Sequence, residues 1–354
     1  MIDPVEWLSS QTLFPKFYWR CRETGLEKIA CGMKPLASHR YHVTPFQGPI
    51  FTFTPAIEIE QYSTVSFSTP LFIIERIQDN PSYETWIDMV TRALKSLRDS
   101  SSLQKVVLAR KTHFSIAPLS SPWQALYHLH DTCPHTDLFA FQKTFDAPLF
   151  LGASPERLFL RQGRHLAIEA LAGTRKRGHT LQEDLSLSQE LLTSLKDQRE
   201  ISYIDLFIQE QLRLLCTKLY PLSSLSCKQT STVQHLYRIH EGILRKTVTD
   251  EELLHTLHPT PAIGGLPKKK AFSLIHELEP FSRELYAGAI GWSTPEKSVY
   301  TVTIRSATLQ GHNLYAFTGA GIVSGSVPEL EWKELDLKLM HWSRRESCTM
   351  HPSN

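Results

Sequence analysis

The amino-acid sequence predicts a layered protein of the α+β or α/β class. Short segments rich in Val, Ile, Phe and Thr alternate in blocks with segments that carry apolar residues at three- and four-residue intervals. Glycines and prolines separate these segments without forming a long linker, and no repeat of fixed period is present. We therefore predict one interleaved domain over residues 1–345, followed by a C-terminal tail at 346–354.

The first half of the chain supplies most of the predicted strands. Apolar and β-branched runs predict strands at 50–53, 71–74, 105–110, 137–141 and 149–151. Helical spacing of the apolar residues predicts helices at 83–99 and 123–131.

The second half is more helical until its end. Residues 181–215 contain no proline and have helical spacing, which places Asp197 and Glu200 one turn apart. A polar loop is predicted at 223–232, and helices at 250–257 and 271–278. The end of the chain is read as strand, turn, strand, glycine-rich turn and a helix that begins at Ser326 or Pro328.

Composition excludes several classes of partner. The chain has 354 residues, 41% hydrophobic and 21% charged, with a net charge of +2, so neither nucleic acid nor a membrane is expected to bind it. No apolar run approaches the ~18 residues that a membrane span needs. The six cysteines form no C-x-x-C pair, which indicates reduced thiols in a cytoplasmic protein.

The last fifth of the chain carries dense signals of one catalytic site. Arg305 lies in a β-branched run, glycines punctuate 319–323, and Glu331 and Glu334 lie three residues apart on the final predicted helix. An arginine clamp, close backbone approach and paired acids suit an anionic substrate that is held partly through a divalent cation.

Eight sequence blocks in order make a family resemblance specific. The blocks are KVVLAR at 105–110, GASPE at 152–156, EALAGTR at 169–175, HPTPAIGG at 258–265, YAG at 286–288, the strand around Arg305, GAGIV at 319–323 and the acidic terminal helix. Over about residues 101–339 the chain resembles the chorismate-utilising enzymes, and among them the isochorismate synthases.

The resemblance implies a fold, a reaction and partners. It implies two large, mostly antiparallel sheets flanked by helices, with the site in a cleft between them, and it makes residues 1–95 a structural part and 96–345 the catalytic part. The implied reaction converts chorismate to isochorismate: water attacks ring C2, the C4 hydroxyl leaves, and Mg²⁺ holds the C1 carboxylate. A monomer without a glutaminase partner is expected.

The same resemblance implies a role for individual residues. Lys105, at the start of an apolar strand where burial would depress its pKa, matches the general base, and Glu156 matches the general acid. Glu200 and Glu334 match the metal ligands, accompanied by Asp197 and Glu331. Residues expected to contact the substrate are Arg305, Gly173, Thr174, His258, Tyr286, Gly319, Gly321 and Lys338.

Other functions remain open at this stage. Salicylate synthase shares nearly every implied catalytic residue, and an anthranilate or aminodeoxychorismate synthase component would use ammonia in place of water. A catalytically idle, ligand-binding relative is a further alternative. An unrelated Mg²⁺-dependent phosphotransfer enzyme is disfavoured because the chain has no phosphate-binding G-x-x-x-x-G-K-[ST] loop.

Overall fold

Two antiparallel sheets form the centre of the fold, and helices flank them. The computed structural model describes residues 2–63, 73–100 and 102–342. Within these residues the helices are α1 (Pro4–Ser10), α2 (Tyr83–Asp99), α3 (Ala125–Thr132), α4 (Leu181–Thr193), α5 (Leu195–Leu215), α6 (Asp250–Leu257), α7 (Lys268–Leu278) and α8 (Pro328–Leu339). The strands are β1 (Lys16–Arg20), β2 (Leu26–Cys31), β3 (Arg40–Thr44), β4 (Phe51–Phe53), β5 (Ile57–Tyr62), β6 (Ile73–Asn80), β7 (Lys105–Ile116), β8 (Asp137–Gln142), β9 (Leu149–Ser154), β10 (Arg157–Gln162), β11 (His165–Lys176), β12 (Cys216–Leu219), β13 (Ser226–Gln229), β14 (Val233–Leu244), β15 (Gly265–Leu266), β16 (Ala289–Ser293), β17 (Lys297–Val302), β18 (Ser306–Gln310) and β19 (Asn313–Ile322).

Each sheet mixes strands from distant parts of the chain. The ten-stranded sheet has the order β15-β7-β19-β18-β9-β8-β1-β2-β5, with β6 also paired to β7. The nine-stranded sheet has the order β12-β14-β11-β10-β17-β16-β3-β4, with β13 also paired to β14. The strands of residues 1–95 therefore extend both sheets, and the predicted architecture of two large antiparallel sheets flanked by helices is confirmed.

The two sheets meet through an aromatic cluster near the N-terminal strands. Phe17 and Trp19 of β1 lie in a buried group with Tyr41 of β3 and Trp292 of β16. The rings of Trp19 and Trp292 pack edge to face with their centroids 5.9 Å apart. Tyr18, which alternates with these residues, points instead into a second buried cluster beneath α1 and α3. Side chains on alternate faces of β1 thus serve two different cores.

Some predicted elements differ in the structure. The helical segment 181–215 is two helices, because Ser194 leaves the helical conformation and its hydroxyl caps α5 by accepting a hydrogen bond from the Asp197 amide. The predicted loop 223–232 contains strand β13, which pairs with β14. The last helix begins at Pro328, which fits the first helical turn because it has no N–H to leave unpaired.

Several predictions fall partly outside the described residues. Leu71 and Phe72 of the predicted strand at 71–74 lie outside them, as do Cys348 and the tail at 346–354. The five described cysteines form no disulfide with one another. Among the described helices, none combines the length and apolar character needed to cross a bilayer.

Candidate active site

A cleft brings together residues from both sheets and from helices α5 and α8. It encloses about 640 Å³, including its opening to solvent. Ten of the fourteen predicted site residues line it, namely Glu156, Gly173, Thr174, Glu200, Tyr286, Arg305, Gly319, Gly321, Glu334 and Lys338. Sequence positions separated by up to 182 residues therefore converge on one surface.

Lys105 does not itself line the cleft; it is completely buried and contacts Glu200, which does. As the first residue of β7, it pairs with β15 through Leu266, and its ammonium nitrogen lies 3.1 Å from Glu200 Oε1. This contact is an ion pair without the geometry of a good hydrogen bond. Burial lowers the pKa of Lys105, and the opposing effects of Glu200 and Glu156 do not reverse that shift. The amine is thus biased toward the neutral form that a general base requires.

The pKa of Glu156 is displaced in the opposite direction. Glu156 follows β9 in the Ser154–Pro155 turn and is 3% exposed. Burial, reinforced by the negative charge of Glu169, raises the pKa of Glu156 to about 8, although Lys105 acts in the other direction. The carboxyl group therefore keeps its proton at neutral pH and can donate it.

Charged groups behind the cleft hold the turn that carries Glu156. The ammonium of Lys228 and the guanidinium of Arg22 both donate to the carbonyl oxygen of Pro155, at 2.6 Å and 2.8 Å. Glu169 pairs with both cations and accepts from the backbone N–H of Arg157 at 2.9 Å. No role for Glu169 was predicted from the sequence, and this network shows that it holds the backbone on either side of Glu156.

Four carboxylates converge where α5 and α8 approach each other. Asp197 and Glu200 come from the first two turns of α5, and Glu331 and Glu334 from α8. All four have oxygens within 4.0 Å of one nitrogen, Nζ of Lys196. Burial and the neighbouring carboxylates Glu334 and Glu200 raise the pKa of Glu331 to about 7, which shows an excess of negative charge at this point.

The donor set fits magnesium. Mg²⁺ prefers carboxylate oxygens completed by water and substrate oxygens. Glu200 Oε2 and Asp197 Oδ1 are buried and accept no hydrogen bond, so each has an oxygen left for a ligand. Against the cost of burial, Lys338 and Lys196 hold the pKa of Glu334 down at about 2, and Lys105 and Lys196 lower that of Glu200, so both are ionised at neutral pH. Asp197 is the least available of the four, because its other oxygen accepts from Arg175 at 3.0 Å.

Three glycines make room for these groups. A Cβ on Gly321 would lie 1.9 Å from Glu200 Oε1, and one on Gly319 would lie 2.6 Å from the Tyr286 hydroxyl oxygen. Gly173 has a φ of +62° at a register shift in β11, where a Cβ would lie 2.8 Å from Asp197 Oδ1. Only glycine allows the backbone to approach the catalytic side chains this closely.

Arg305 provides a buried positive charge without an acidic partner. Its guanidinium lies within 4.0 Å of no carboxylate oxygen in the described part of the chain. Burial lowers the pKa of Arg305 to about 10, which leaves it charged at neutral pH. A buried cation of this kind is suited to bind an anionic ligand through two parallel hydrogen bonds.

His235 orients Arg305, and the sequence analysis missed it. Its Nδ1 lies 2.8 Å from the carbonyl oxygen of Gly173, which can only accept, so Nδ1 carries the proton. Its Nε2 then accepts from Arg305 Nη2 at 3.1 Å. Burial and the charge of Arg305 lower the pKa of His235 to about 3, which keeps the ring neutral. The position of a histidine within the buried strand β14 was the only signal available in the sequence.

Of the remaining residues predicted to contact the substrate, Lys338 and Tyr286 line the cleft, whereas His258 lies behind one of its walls. Lys338 donates to Glu334 Oε1 and to the carbonyl oxygen of Gly319, both at 2.7 Å, so it offsets the acids. The Tyr286 ring stacks on Phe317 at 5.1 Å. His258 does not line the cleft: its Nε2 is bound to the carbonyl oxygen of Pro45 at 3.0 Å, and it supports the wall formed by the segment that follows it.

Comparisons with known proteins give a family match over most of the chain. Residues 55–344 match the family model described as "Chorismate binding enzyme". The chain is 35% identical over 306 residues to isochorismate synthase 2, chloroplastic, of Arabidopsis thaliana, covering 83% of this chain and 54% of that protein. It is 31% identical to the isochorismate synthase MenF of Escherichia coli, covering 95% of this chain and 89% of that protein.

A solved structure supports the same relationship. The menaquinone-specific isochorismate synthase MenF from Escherichia coli superposes with a TM-score of 0.82 at 27% identity, over 96% of this chain and 90% of that one. The chain spans about half the length of the first curated relatives that it matches, between 45% and 58%.

Proposed function

This chain belongs to the chorismate-binding enzyme family, and we propose that it is a Mg²⁺-dependent isochorismate synthase. In the proposed reaction water adds to C2 of chorismate and the C4 hydroxyl leaves. The observation that carries the proposal is a buried glutamic acid in the cleft and a buried lysine that contacts the cleft residue Glu200, with the pKa values of the two displaced in opposite directions.

In this proposal Lys105 and Glu156 each carry out one proton transfer. Neutral Lys105 takes a proton from the attacking water as the C2–O bond forms. Protonated Glu156 gives its proton to the departing C4 hydroxyl, which leaves as water while the ring double bonds shift. One water is consumed and one is released, and the Lys105 proton must return to Glu156 before the next cycle.

Charged groups in the cleft hold the dianionic substrate. Arg305, held by His235, binds one carboxylate. Glu200 and Glu334 would hold the metal, with Glu331 and Asp197 beside them. Bound Mg²⁺ would supply positive charge for the other carboxylate. Because the cleft walls are largely buried, these charges act in a region from which most water is excluded.

The direct test is product identification. The purified protein is incubated with chorismate and Mg²⁺, with and without EDTA and with or without ammonium, and the products are separated by chromatography. Isochorismate alone, lost with EDTA, is the expected result.

Each other outcome selects an alternative. Salicylate with pyruvate would assign the protein to the salicylate synthases, and anthranilate only with ammonium would indicate an amino-transferring relative. If chorismate binds but no product forms, the protein is a ligand-binding relative without this activity.

A further inference from the structure

Lys196 occupies the centre of the acid cluster. Its ammonium nitrogen lies 3.0 Å from Glu331 Oε1, 3.7 Å from Glu200 Oε2, 3.7 Å from Asp197 Oδ1 and 4.0 Å from Glu334 Oε2. These are the four carboxylates that the proposed function assigns to magnesium. One cation of this chain therefore faces every acidic group that the metal would bind.

The position of Lys196 in its helix is unfavourable for a positive charge. Lys196 is the second residue of α5, where the partial positive charge of a helix N-terminus disfavours a cation. Its ammonium group is nevertheless surrounded by four carboxylates, all within 4.0 Å. The tertiary arrangement, rather than helix preference, accounts for a lysine at this position.

In the metal-free protein, the four acids differ in how many cations lie near them. Glu200 also pairs with Lys105, Glu334 with Lys338, and Asp197 with Arg175. Glu331 has no cation other than Lys196 within 4.0 Å among the described residues. Without Lys196, the buried carboxylate of Glu331 would have no cation within 4.0 Å in the described part of the chain.

Lys196 is the most exposed member of the cluster. Its side chain is 23% exposed, whereas those of the four acids are between 1% and 11% exposed. Lys196 therefore reaches the cluster from the solvent side, and rotation of its flexible stem removes the charge while the carboxylates stay in place.

We propose that Lys196 is an internal counter-cation, which neutralises the carboxylate cluster in the metal-free protein and competes with magnesium for it. This inference rests on the proposed function, because it takes magnesium as the metal. Lys196 thereby weakens magnesium binding while it stabilises the protein that has no metal.

The test measures magnesium binding alone, with no substrate present. Lys196→Met removes the charge and keeps most of the apolar stem. Titration calorimetry with MgCl₂ should show an affinity at least about tenfold higher than that of the unaltered chain, since a unit charge is lost within about 4 Å of the ligands. The metal-free variant should melt at a lower temperature, and saturating MgCl₂ should raise that temperature by more than in the unaltered chain.

Two control variants separate charge from other effects. Lys196→Arg keeps the charge and should keep an affinity close to that of the unaltered chain. Lys269→Met removes the same charge from the exposed first turn of α7 and should leave magnesium binding unchanged.

Several results would overturn the inference. They are an unchanged or weaker magnesium affinity in Lys196→Met, no magnesium binding by either protein, or a variant that stays unfolded even in MgCl₂. A variant that folds only with MgCl₂ would support it. Because turnover of chorismate is not measured, failure of the proposed activity and failure of this inference are separate results.

Discussion

At the scale of single residues, burial sets the chemistry of the cleft. Lys105 and Glu156 are both almost completely removed from water, and burial disfavours the charged form of each. The same physical effect therefore lowers one pKa and raises the other. Both shifts favour the uncharged form, and a neutral amine with a protonated carboxyl group is the pair that addition of water and loss of a hydroxyl require.

Lys105→Met should abolish turnover without loss of the fold. Methionine keeps the buried apolar stem of the side chain but cannot accept a proton, so kcat should fall by about 10²–10⁴. The measurement is isochorismate production, with chorismate binding in Mg²⁺ and the melting temperature as controls. Retained turnover would show that another group is the base, and loss of the cooperative melting transition would make Lys105 a structural residue.

Glu156→Gln should remove the proton donor and one limb of the pH profile. The unaltered protein should lose activity as the pH rises through about 8, because the acid is then deprotonated. The glutamine variant should keep only a small residual activity, at least about 10²-fold lower, without this alkaline limb. An identical limb in the variant would assign it to a different group.

The same variant gives a test that does not depend on turnover. The folded protein holds the Glu156 proton up to about pH 8, whereas the unfolded chain releases it near the ordinary pKa of 4.5. The contribution of Glu156 to stability therefore falls as pH rises from about 4.5 to about 8. As the pH rises across this interval, the free energy of unfolding of the unaltered protein should fall relative to that of Glu156→Gln. A constant difference between the two proteins would contradict a raised pKa.

At the scale of elements, two helices and one strand bring the reactive groups together. The first turns of α5 and α8 present their acids toward each other, and β19 passes beside them without side chains at Gly319 and Gly321. The strand thus allows Glu200 to reach Lys105, which lies on the neighbouring strand β7. Close approach of the backbone is as important here as the identity of the charged residues.

Gly321→Ala should damage the site more than the fold. A Cβ at this position would lie 1.9 Å from Glu200 Oε1, so Glu200, the proposed metal ligand, and its contact with Lys105 must shift. We expect turnover to fall at least about tenfold and the magnesium requirement to rise, as a displacement near 1 Å can cost about 10²-fold in rate. Magnesium titrations of activity would measure this.

Gly311→Ala serves as the matched control. Gly311 lies in the β18–β19 turn, where a Cβ would meet no atom within 4 Å, although its φ of +59° strains an alanine. This variant should lose on the order of 1 kcal/mol of stability and keep its magnesium requirement. Equal effects of the two changes on magnesium would contradict a specific role for Gly321.

At the scale of the whole molecule, the N-terminal strands are part of both sheets. Strands β1, β2 and β5 extend the sheet that carries Lys105, and β3 and β4 extend the sheet that carries Glu156 at one end of β10. Trp19 also donates to Thr301 Oγ1 of the opposite sheet at 3.1 Å. The two walls of the cleft are therefore fixed relative to each other by residues far from the chemistry.

A chain that lacks residues 2–62 should not fold cooperatively. Removal of these residues would expose the edges of β8 and β16 and the aromatic cluster around Trp292. Long exposed strand edges favour aggregation. Thermal unfolding and limited proteolysis of the truncated and complete chains would measure this. A cooperative transition at the same temperature in the truncated chain would show that the catalytic part folds alone.

Local sequence patterns were enough to predict the fold class, the positions of most helices, some of the strands, and ten of the residues that line the cleft. These features depend on local periodicity and on motifs, such as the Ser154–Pro155–Glu156 turn, which are contiguous in the chain. The break at Ser194 and strand β13 were missed because capping and strand pairing depend on partners that periodicity does not show.

Only the tertiary structure decided how the charges are paired. His235 and Lys196 carry no motif of their own, and their roles arise because β14 meets Arg305 and because α5 meets α8. The opposite case is His258, which belongs to a recognised motif but lies outside the cleft, with its ring bound to the carbonyl oxygen of Pro45. Electrostatic interactions depend on distance through space and on burial, and neither quantity is fixed by separation along the chain.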